Sequence, residues 1–217
     1  MTPIYHITHV ENLPAILRER ALLCDREAQR RGLCSQSIAY DTIKQRRTLR
    51  PVKKLLGGAI AAAGTLADYV PFYFTNRSPM LLAIHKGQVP GYQGGQSDIV
   101  HLVSSAETVA KSDRVWAFTD GHAVEGVTEF FDHLEELPKV DWNAVRTWKW
   151  GGKWMLADPD IKRRKQAEFL VNARFPLELI ESVGVMNPAM AEKVAGILRE
   201  AGQNLRVTVQ LDWYHNV

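Results

Sequence analysis

Residues 166–175 read QAEFLVNARF, and the basic run Lys162-Arg163-Arg164-Lys165 stands directly before them. Phe169 to Phe175 is apolar and β-prone and predicts a strand. Glu168 stands at the mouth of that strand. An acid there reads either as an exposed edge residue or as a fixed carboxylate facing developing positive charge, the arrangement that oxocarbenium chemistry favours. Working outward, further strands are expected over Ile4–Thr8, Tyr69–Thr75 (YVPFYFT), Ile99–Val103, Val115–Thr119, Ser182–Met186 and Leu205–Tyr214. Thr8 and Glu11 have capping-box spacing ahead of Leu13, Ile16 and Leu17, so a helix is expected there. Others are expected over Ala106–Lys111 and over Pro188–Ala201, which has Pro188 early and Gly202 just past its end. Val124, Val127, Phe130, Phe131 and Leu134 lie on one helical face. Leu81–His85 reads as a strand or a short helix. Strands outnumber helices without alternating regularly with them, so the fold class is α+β.

The 217 residues are 46% apolar and 24% charged, an ordinary globular composition that excludes a disordered tail, a collagen-like repeat and a disulfide scaffold. No linker or repeat interrupts the chain, which predicts one domain over residues 1–217. Cys24 and Cys34 are the two cysteines, too few for a zinc site, and read as reduced structural thiols. No metal is expected. Met1 to Val10 lacks the charged and apolar regions of a leader, and Leu55–Val70 is too short and too interrupted to span a bilayer, so the expectation is a soluble, cytoplasmic protein with no membrane partner.

The net charge of +3 is unevenly spread. Between Arg26 and Lys54 stand nine basic residues (Arg26, Arg30, Arg31, Lys44, Arg46, Arg47, Arg50, Lys53, Lys54) against Glu27 and Asp41, a local +7 that leaves −4 for the rest. Such a run is a solvated face or a phosphate-binding surface. Gln36–Lys54 lacks a clear apolar stripe and reads as a loop with short helical pieces. An acidic patch holds Glu125, Glu129, Asp132, Glu135 and Glu136, and Trp142–Trp154 reads as a packed loop with four tryptophans.

Generic motifs are absent: there is no dinucleotide fingerprint, Walker A loop, HExxH or GxSxG. His6 and Thr8 share one face of the first strand because side chains alternate with period two, and two polar groups at a strand end suit an amide or a ribose. Arg46 and Arg47 read first as phosphate-binding surface. His122, after Asp120-Gly121, reads equally as a ligand-facing residue and as a helix cap.

Six stretches taken together carry a resemblance: YHITHVENLPAIL (5–17), SIAYDTIKQRR (37–47), DYVPFYFTNRSPMLLAI (68–84), GGQSDIVHLVSS (94–105), FTDGHA (118–123) and RRKQAEFLV (163–171). In this order, over most of the chain, they resemble the DarT toxins of DarTG toxin–antitoxin systems, in the thymidine-modifying branch. The resemblance implies an ADP-ribosyltransferase-like fold, two packed β-sheets around an NAD cleft with peripheral helices. It implies transfer of ADP-ribose from NAD+ to a thymine nitrogen of single-stranded DNA, and a partner macrodomain antitoxin of the DarG type that removes the mark. By the same resemblance Glu168, Arg47 and His122 are catalytic. His6, Thr8, Asn12, Leu13, Tyr73 and Arg77 bind NAD+, and Arg46, Arg50, Met80 and Trp150 bind DNA. Two other readings stand beside it: an RNA-directed NAD-dependent enzyme of the 2′-phosphotransferase kind, and a non-catalytic nucleic-acid-binding module.

Overall fold

A computed structural model describes residues 1–33, 35–53, 64–147 and 157–215. In chain order its strands are β1 (Pro3–His9), β2 (Ala21–Leu23), β3 (Tyr69–Tyr73), β4 (Ile99–Ser105), β5 (Trp116–Thr119), β6 (Phe130–Phe131), β7 (Glu168–Asn172), β8 (Arg174–Pro176), β9 (Ser182–Val185) and β10 (Arg206–Val209). Its helices include α1 (Leu13–Glu19), α2 (Asp25–Arg31), α3 (Asp41–Leu49), α4 (Pro79–His85), α5 (Ala106–Ala110), α6 (Trp142–Arg146), α7 (Ile161–Arg164) and α8 (Pro188–Glu200). Eight strands form one sheet in the order β10-β9-β4-β1-β3-β7-β5-β6, and β2 pairs with β8 in a separate ribbon. Every strand pair but β9–β10 is antiparallel. The class is α+β.

The sheet is divided at one seam. β1 pairs with β4 along its whole length, from Pro3↔Ser105 to His9↔Ile99, but meets β3 at the single register pair Tyr5↔Tyr73. The expected two sheets are therefore two halves, β10-β9-β4-β1 and β3-β7-β5-β6, joined at that seam. A side chain bridges it: His6 Nδ1 lies 2.8 Å from the Pro71 carbonyl, and because a carbonyl only accepts, the ring nitrogen donates.

The main core lies against one face of both halves, with Phe72, Phe118, Phe169 and Val171 from one half, Ile4, Val100, Leu102, Val183 and Val185 from the other, and Phe74 and Phe175 packed with them. Helix α8 presents Met190, Val194 and Leu198 to it at i, i+4 and i+8. Asn187 caps that helix by accepting from the Met190 N–H at 2.9 Å, and Gly202 follows its end at φ +65°.

Several expectations are corrected. The predicted strand 169–175 is two strands, because Ala173 takes φ 59°; its N–H donates to Asp68 O and its carbonyl accepts from Cys24 N. Residues 122–129 form turns rather than a helix, and Phe130–Phe131 pair with β5, which buries both phenylalanines as sheet residues. The cap ahead of α1 is His9, whose Nδ1 accepts from Glu11 N, and not Thr8. Leu81–His85 is helical, and the last predicted strand ends at Val209 before a short 3-10 turn, Leu211–Trp213. Within the predicted basic loop, Asp41–Leu49 is helix. Cys24 is buried with a free thiol, and Cys34 lies outside the described residues.

The charge runs are also largely paired within the chain. Arg26 pairs with Asp68, Arg30 with Glu27, and Arg31 with Glu27 and Glu19. Arg163 pairs with Asp160 and Asp120, and Arg164 with Asp141 and Asp158. Lys165 is buried, donates to the Thr147 carbonyl, and is pulled down to about 8 by burial. The run 162–165 is thus a packing device more than a phosphate surface.

Two stability predictions follow from the backbone and the core. A left-handed residue other than glycine is strained by roughly 1–2 kcal/mol, and Ala173 is exposed. Ala173→Gly should therefore raise the unfolding free energy by roughly 0.5–1 kcal/mol after glycine's entropic cost, read from urea midpoints. His101 on β4 is fully buried among the rings of Tyr5, Trp213 and Tyr214, and burial lowers it to about 4. It stays neutral in the folded state while the unfolded chain takes up a proton near pH 6.5, so stability is lost as pH falls from about 6.5 toward 4. Its share of the loss between pH 7 and pH 5 is about 2 kcal/mol. His101→Gln, which can still donate to the Asn76 carbonyl (2.9 Å from His101 Nε2), should flatten the pH dependence by that amount.

Candidate active site

Glu168 opens β7 opposite Tyr73 of β3, close to the seam. Its side chain is 5% exposed. Oε2 accepts from Arg47 Nη1 at 2.9 Å and Oε1 accepts from the Ala123 backbone N–H at 3.0 Å. Both oxygens of the carboxylate therefore have a donor, one cationic and one from the main chain. Arg47 projects from α3 and is 7% exposed. Its Nη2 donates to Leu66 O at 3.2 Å, while its buried Nε makes no hydrogen bond and lies 3.6 Å from Asp25 Oδ2. The first reading of Arg47 as phosphate-binding surface is thereby overturned: a guanidinium this enclosed belongs to the site interior.

Three more sequence-predicted residues gather around this pair. Tyr73 is held protonated well above its ordinary range, by burial first and by the Glu168 charge second. His122 is lowered, chiefly by burial and against the pull of Glu168 and Glu125; its Nδ1 lies 3.7 Å from Glu125 Oε1. His6 is lowered by burial, feels both Asp25 and Arg47, and has Nδ1 committed to Pro71 O. Its Nε2 is then an unprotonated acceptor. The site thus has the Glu168 carboxylate, the Arg47 guanidinium with Asp25 beside it, two neutral imidazoles and a phenol.

The remaining candidates are placed differently. Thr8 shares the His6 face, as the strand period predicts, but its hydroxyl accepts from Asn12 Nδ2 at 3.1 Å. Asn12 also clamps Gln36 through both its amide atoms, at 2.9 Å each, and so holds the segment leading into α3. Leu13 is a core side chain. Arg77 turns to the C-terminal segment, donating from Nε to Asp212 O at 2.7 Å. Met80 on α4 is half-buried and packs beside Tyr73 against the cluster of Ile7, Leu81 and Tyr214. Arg46 pairs with Glu125 at 3.1 Å and stays half-exposed. Arg50 donates to the carbonyls of Ala123, Gly126 and Thr128 and lies over the Phe130 ring, so it secures the 123–128 turns. Trp150 lies outside the described residues.

Sequence reading missed the Ala123 N–H, Thr119 and Asp25. The FTDGHA stretch was visible as a turn, but a backbone donor carries no residue signature.

The whole chain has known counterparts. Residues 5–215 match the family model "ssDNA thymidine ADP-ribosyltransferase, DarT". The chain belongs to the DarT family. Membership makes it an enzyme that transfers ADP-ribose to thymidine of single-stranded DNA. A DNA ADP-ribosyl transferase of Thermus sp. (strain 2.9) is 43% identical over 99% of this chain and 96% of its own length. The structure of Thermus sp. 2.9 DarT in complex with ADP-ribosylated ssDNA superposes with a TM-score of 0.88 at 42% identity, covering 99% of this chain and 96% of that one. The same protein in complex with NAD+ gives 0.85 at 40% identity, covering 99% and 98%. A DNA ADP-ribosyl transferase–DNA ADP-ribosyl glycohydrolase fusion protein of Thermosipho africanus is 25% identical over 95% of this chain and 47% of its own length.

A stability cycle tests the buried pair. Arg47→Met should destabilise by about 3–5 kcal/mol, because it strands the Glu168 charge. Adding Glu168→Leu should recover part of that loss, and additive single effects in chemical denaturation would show that the two do not interact.

Proposed function

We propose that Glu168, Arg47 and His122 are the working groups of this DarT enzyme, acting on NAD+ and a thymine of single-stranded DNA held beside the β1–β3 seam. The observation that carries the reading is the Glu168 carboxylate, fixed in a buried setting by Arg47 and the Ala123 N–H. The residues present suit NAD+: His6 Nε2 can accept from an amide or a ribose hydroxyl, Thr8 keeps its own O–H to donate, and Arg47 Nε, 3.6 Å from Asp25, makes no hydrogen bond of its own. The known Thermus relative in complex with NAD+ supports the same donor.

NAD+ supplies a ribose C1′ whose bond to nicotinamide breaks as the bond to the thymine nitrogen forms, leaving transient positive charge on the sugar. Glu168 faces that charge with a carboxylate that needs no reorganisation. Arg47 stabilises the deprotonated thymine, since an adjacent cation favours the charged form of an acid. The proton leaving the thymine nitrogen passes to Glu168. His122, neutral through burial, can accept a hydrogen bond from the acceptor nucleotide. Tyr73 stays protonated and donates.

Met80 and the half-exposed Arg46 are the described DNA-binding candidates that remain open to a strand, and we assign Arg46 to a phosphate. Action on unpaired DNA supports the reading of a toxin that works in the cytoplasm. The fusion of transferase and glycohydrolase in the Thermosipho relative supports a macrodomain antitoxin as partner, one that removes the modification.

The test is incubation with NAD+ and thymidine-containing oligonucleotides, with products weighed by mass spectrometry. Glu168→Gln should lower kcat by about 10²–10³-fold while leaving salt-sensitive DNA binding intact. Modification of RNA with DNA untouched would favour the phosphotransferase-like reading, and DNA binding without NAD+ turnover would favour the binding module.

A further inference from the structure

Thr119 ends β5 and is fully buried. Its hydroxyl accepts from the Glu168 N–H at 2.9 Å and donates to the Gly121 carbonyl at 2.7 Å. Two residues beyond Gly121, the Ala123 N–H reaches back to Glu168 Oε1 at 3.0 Å. A closed ring results. The main chain of Glu168 is tied to Gly121 through one hydroxyl, and its side chain is tied to Ala123 through one amide.

The ledge 120–123 is braced from behind by Arg163. Its Nη1 donates to Asp120 Oδ1 at 3.0 Å and to Thr128 Oγ1 at 3.3 Å, and its carbonyl accepts from His122 N at 2.9 Å. Thr128 Oγ1 in turn donates to His122 O at 2.8 Å. The guanidinium lies so close to Gly121 that a Cβ there would fall 2.4 Å from Nη1. A side chain at 121 would have to displace the Arg163 guanidinium from this position.

A carboxylate on a stem of two methylenes swings freely unless both its oxygens are held. Arg47 holds one, from a helix that the strand does not control. The ledge holds the other, and its height relative to β7 is set by the Thr119 hydroxyl. We propose that Thr119 is a positioning residue of the transfer reaction, holding the ledge, with Arg163 behind it, so that the Ala123 N–H fixes the orientation of Glu168. The inference rests on the reading of Glu168 as the working carboxylate. It requires an effect on the chemical step and none on NAD+ affinity, because Thr119 is fully buried and its hydroxyl is taken up by Glu168 and Gly121.

The experiment compares Thr119→Val, Thr119→Ser and Glu168→Gln in steady-state transfer from NAD+ to a thymidine-containing single-stranded oligonucleotide. NAD+ affinity is measured by calorimetry, and thermal unfolding confirms that each variant is folded at the assay temperature. Thr119→Val removes the hydroxyl at nearly constant shape. It should lower kcat by about ten- to a hundredfold, as sub-ångström misplacement of a reacting group does, with KM for NAD+ and calorimetric affinity within about twofold of wild type. Thr119→Ser keeps the hydroxyl and should return kcat to within about threefold of wild type. A folded Thr119→Val with wild-type kcat overturns the proposal, as does a parallel loss of NAD+ affinity or a Ser variant as impaired as Val. Should Thr119→Val fail to fold, Arg163→Gln is read in its place: a selective loss of kcat supports the ledge, and wild-type kcat overturns it. Glu168→Gln separates the two levels of inference. If it retains full transfer, the reading of Glu168 fails, whereas an inactive Glu168→Gln beside a fully active Thr119→Val removes Thr119 alone.

Discussion

A carboxylate can be kept ionised and out of water only if both its oxygens find donors and its charge finds a counter-charge. Glu168 meets that condition through Arg47 and the Ala123 N–H, and much of the local architecture follows from it. Arg47 must arrive from elsewhere in the chain, so α3 is drawn over the sheet. Asn12 clamps Gln36 and thereby the approach to that helix, and Arg47 also grips the Leu66 carbonyl just before β3. The amide must arrive from a turn, so residues 120–128 are fastened by Arg163, Thr128 and Arg50.

The seam between β1 and β3 lies beside the ion pair. A single register pair joins the halves there, with His6 adding a side-chain bond to the Pro71 carbonyl. Proline at 71 suits that position: it has no N–H to leave unpaired, and its carbonyl is the acceptor that fixes the His6 tautomer.

Charge behaves differently from its count along the chain. The +7 segment reads as a polyanion surface, yet most of its arginines meet acids or carbonyls of distant residues. Exposed pairs of this kind contribute little to stability individually. Their arrangement still matters, because it leaves Arg46 half-exposed, buries Arg47 against Glu168 and holds Arg50 half-buried over the 123–128 turns. Family membership supplies the reaction.

The sequence by itself determined the α+β class, most of the strands, the long core helix at 188–200 and the family. Those features are local: period, capping and turn residues act within a few positions, and six short blocks carry the resemblance. It also singled out Glu168, because an acid at the head of a buried strand is conspicuous. Only the tertiary structure decided that Arg47 and not Arg50 meets that acid, that Leu13 is core, that Arg77 serves the C-terminal segment, and that 122–134 is turn and strand despite its helical period. Each of these depends on a partner far along the chain. The Ala123 amide and the Thr119 hydroxyl were illegible for a further reason: every residue but proline has such an amide, most threonines are structural, and only the approach of Glu168, some 45 residues distant, gives these two atoms a role.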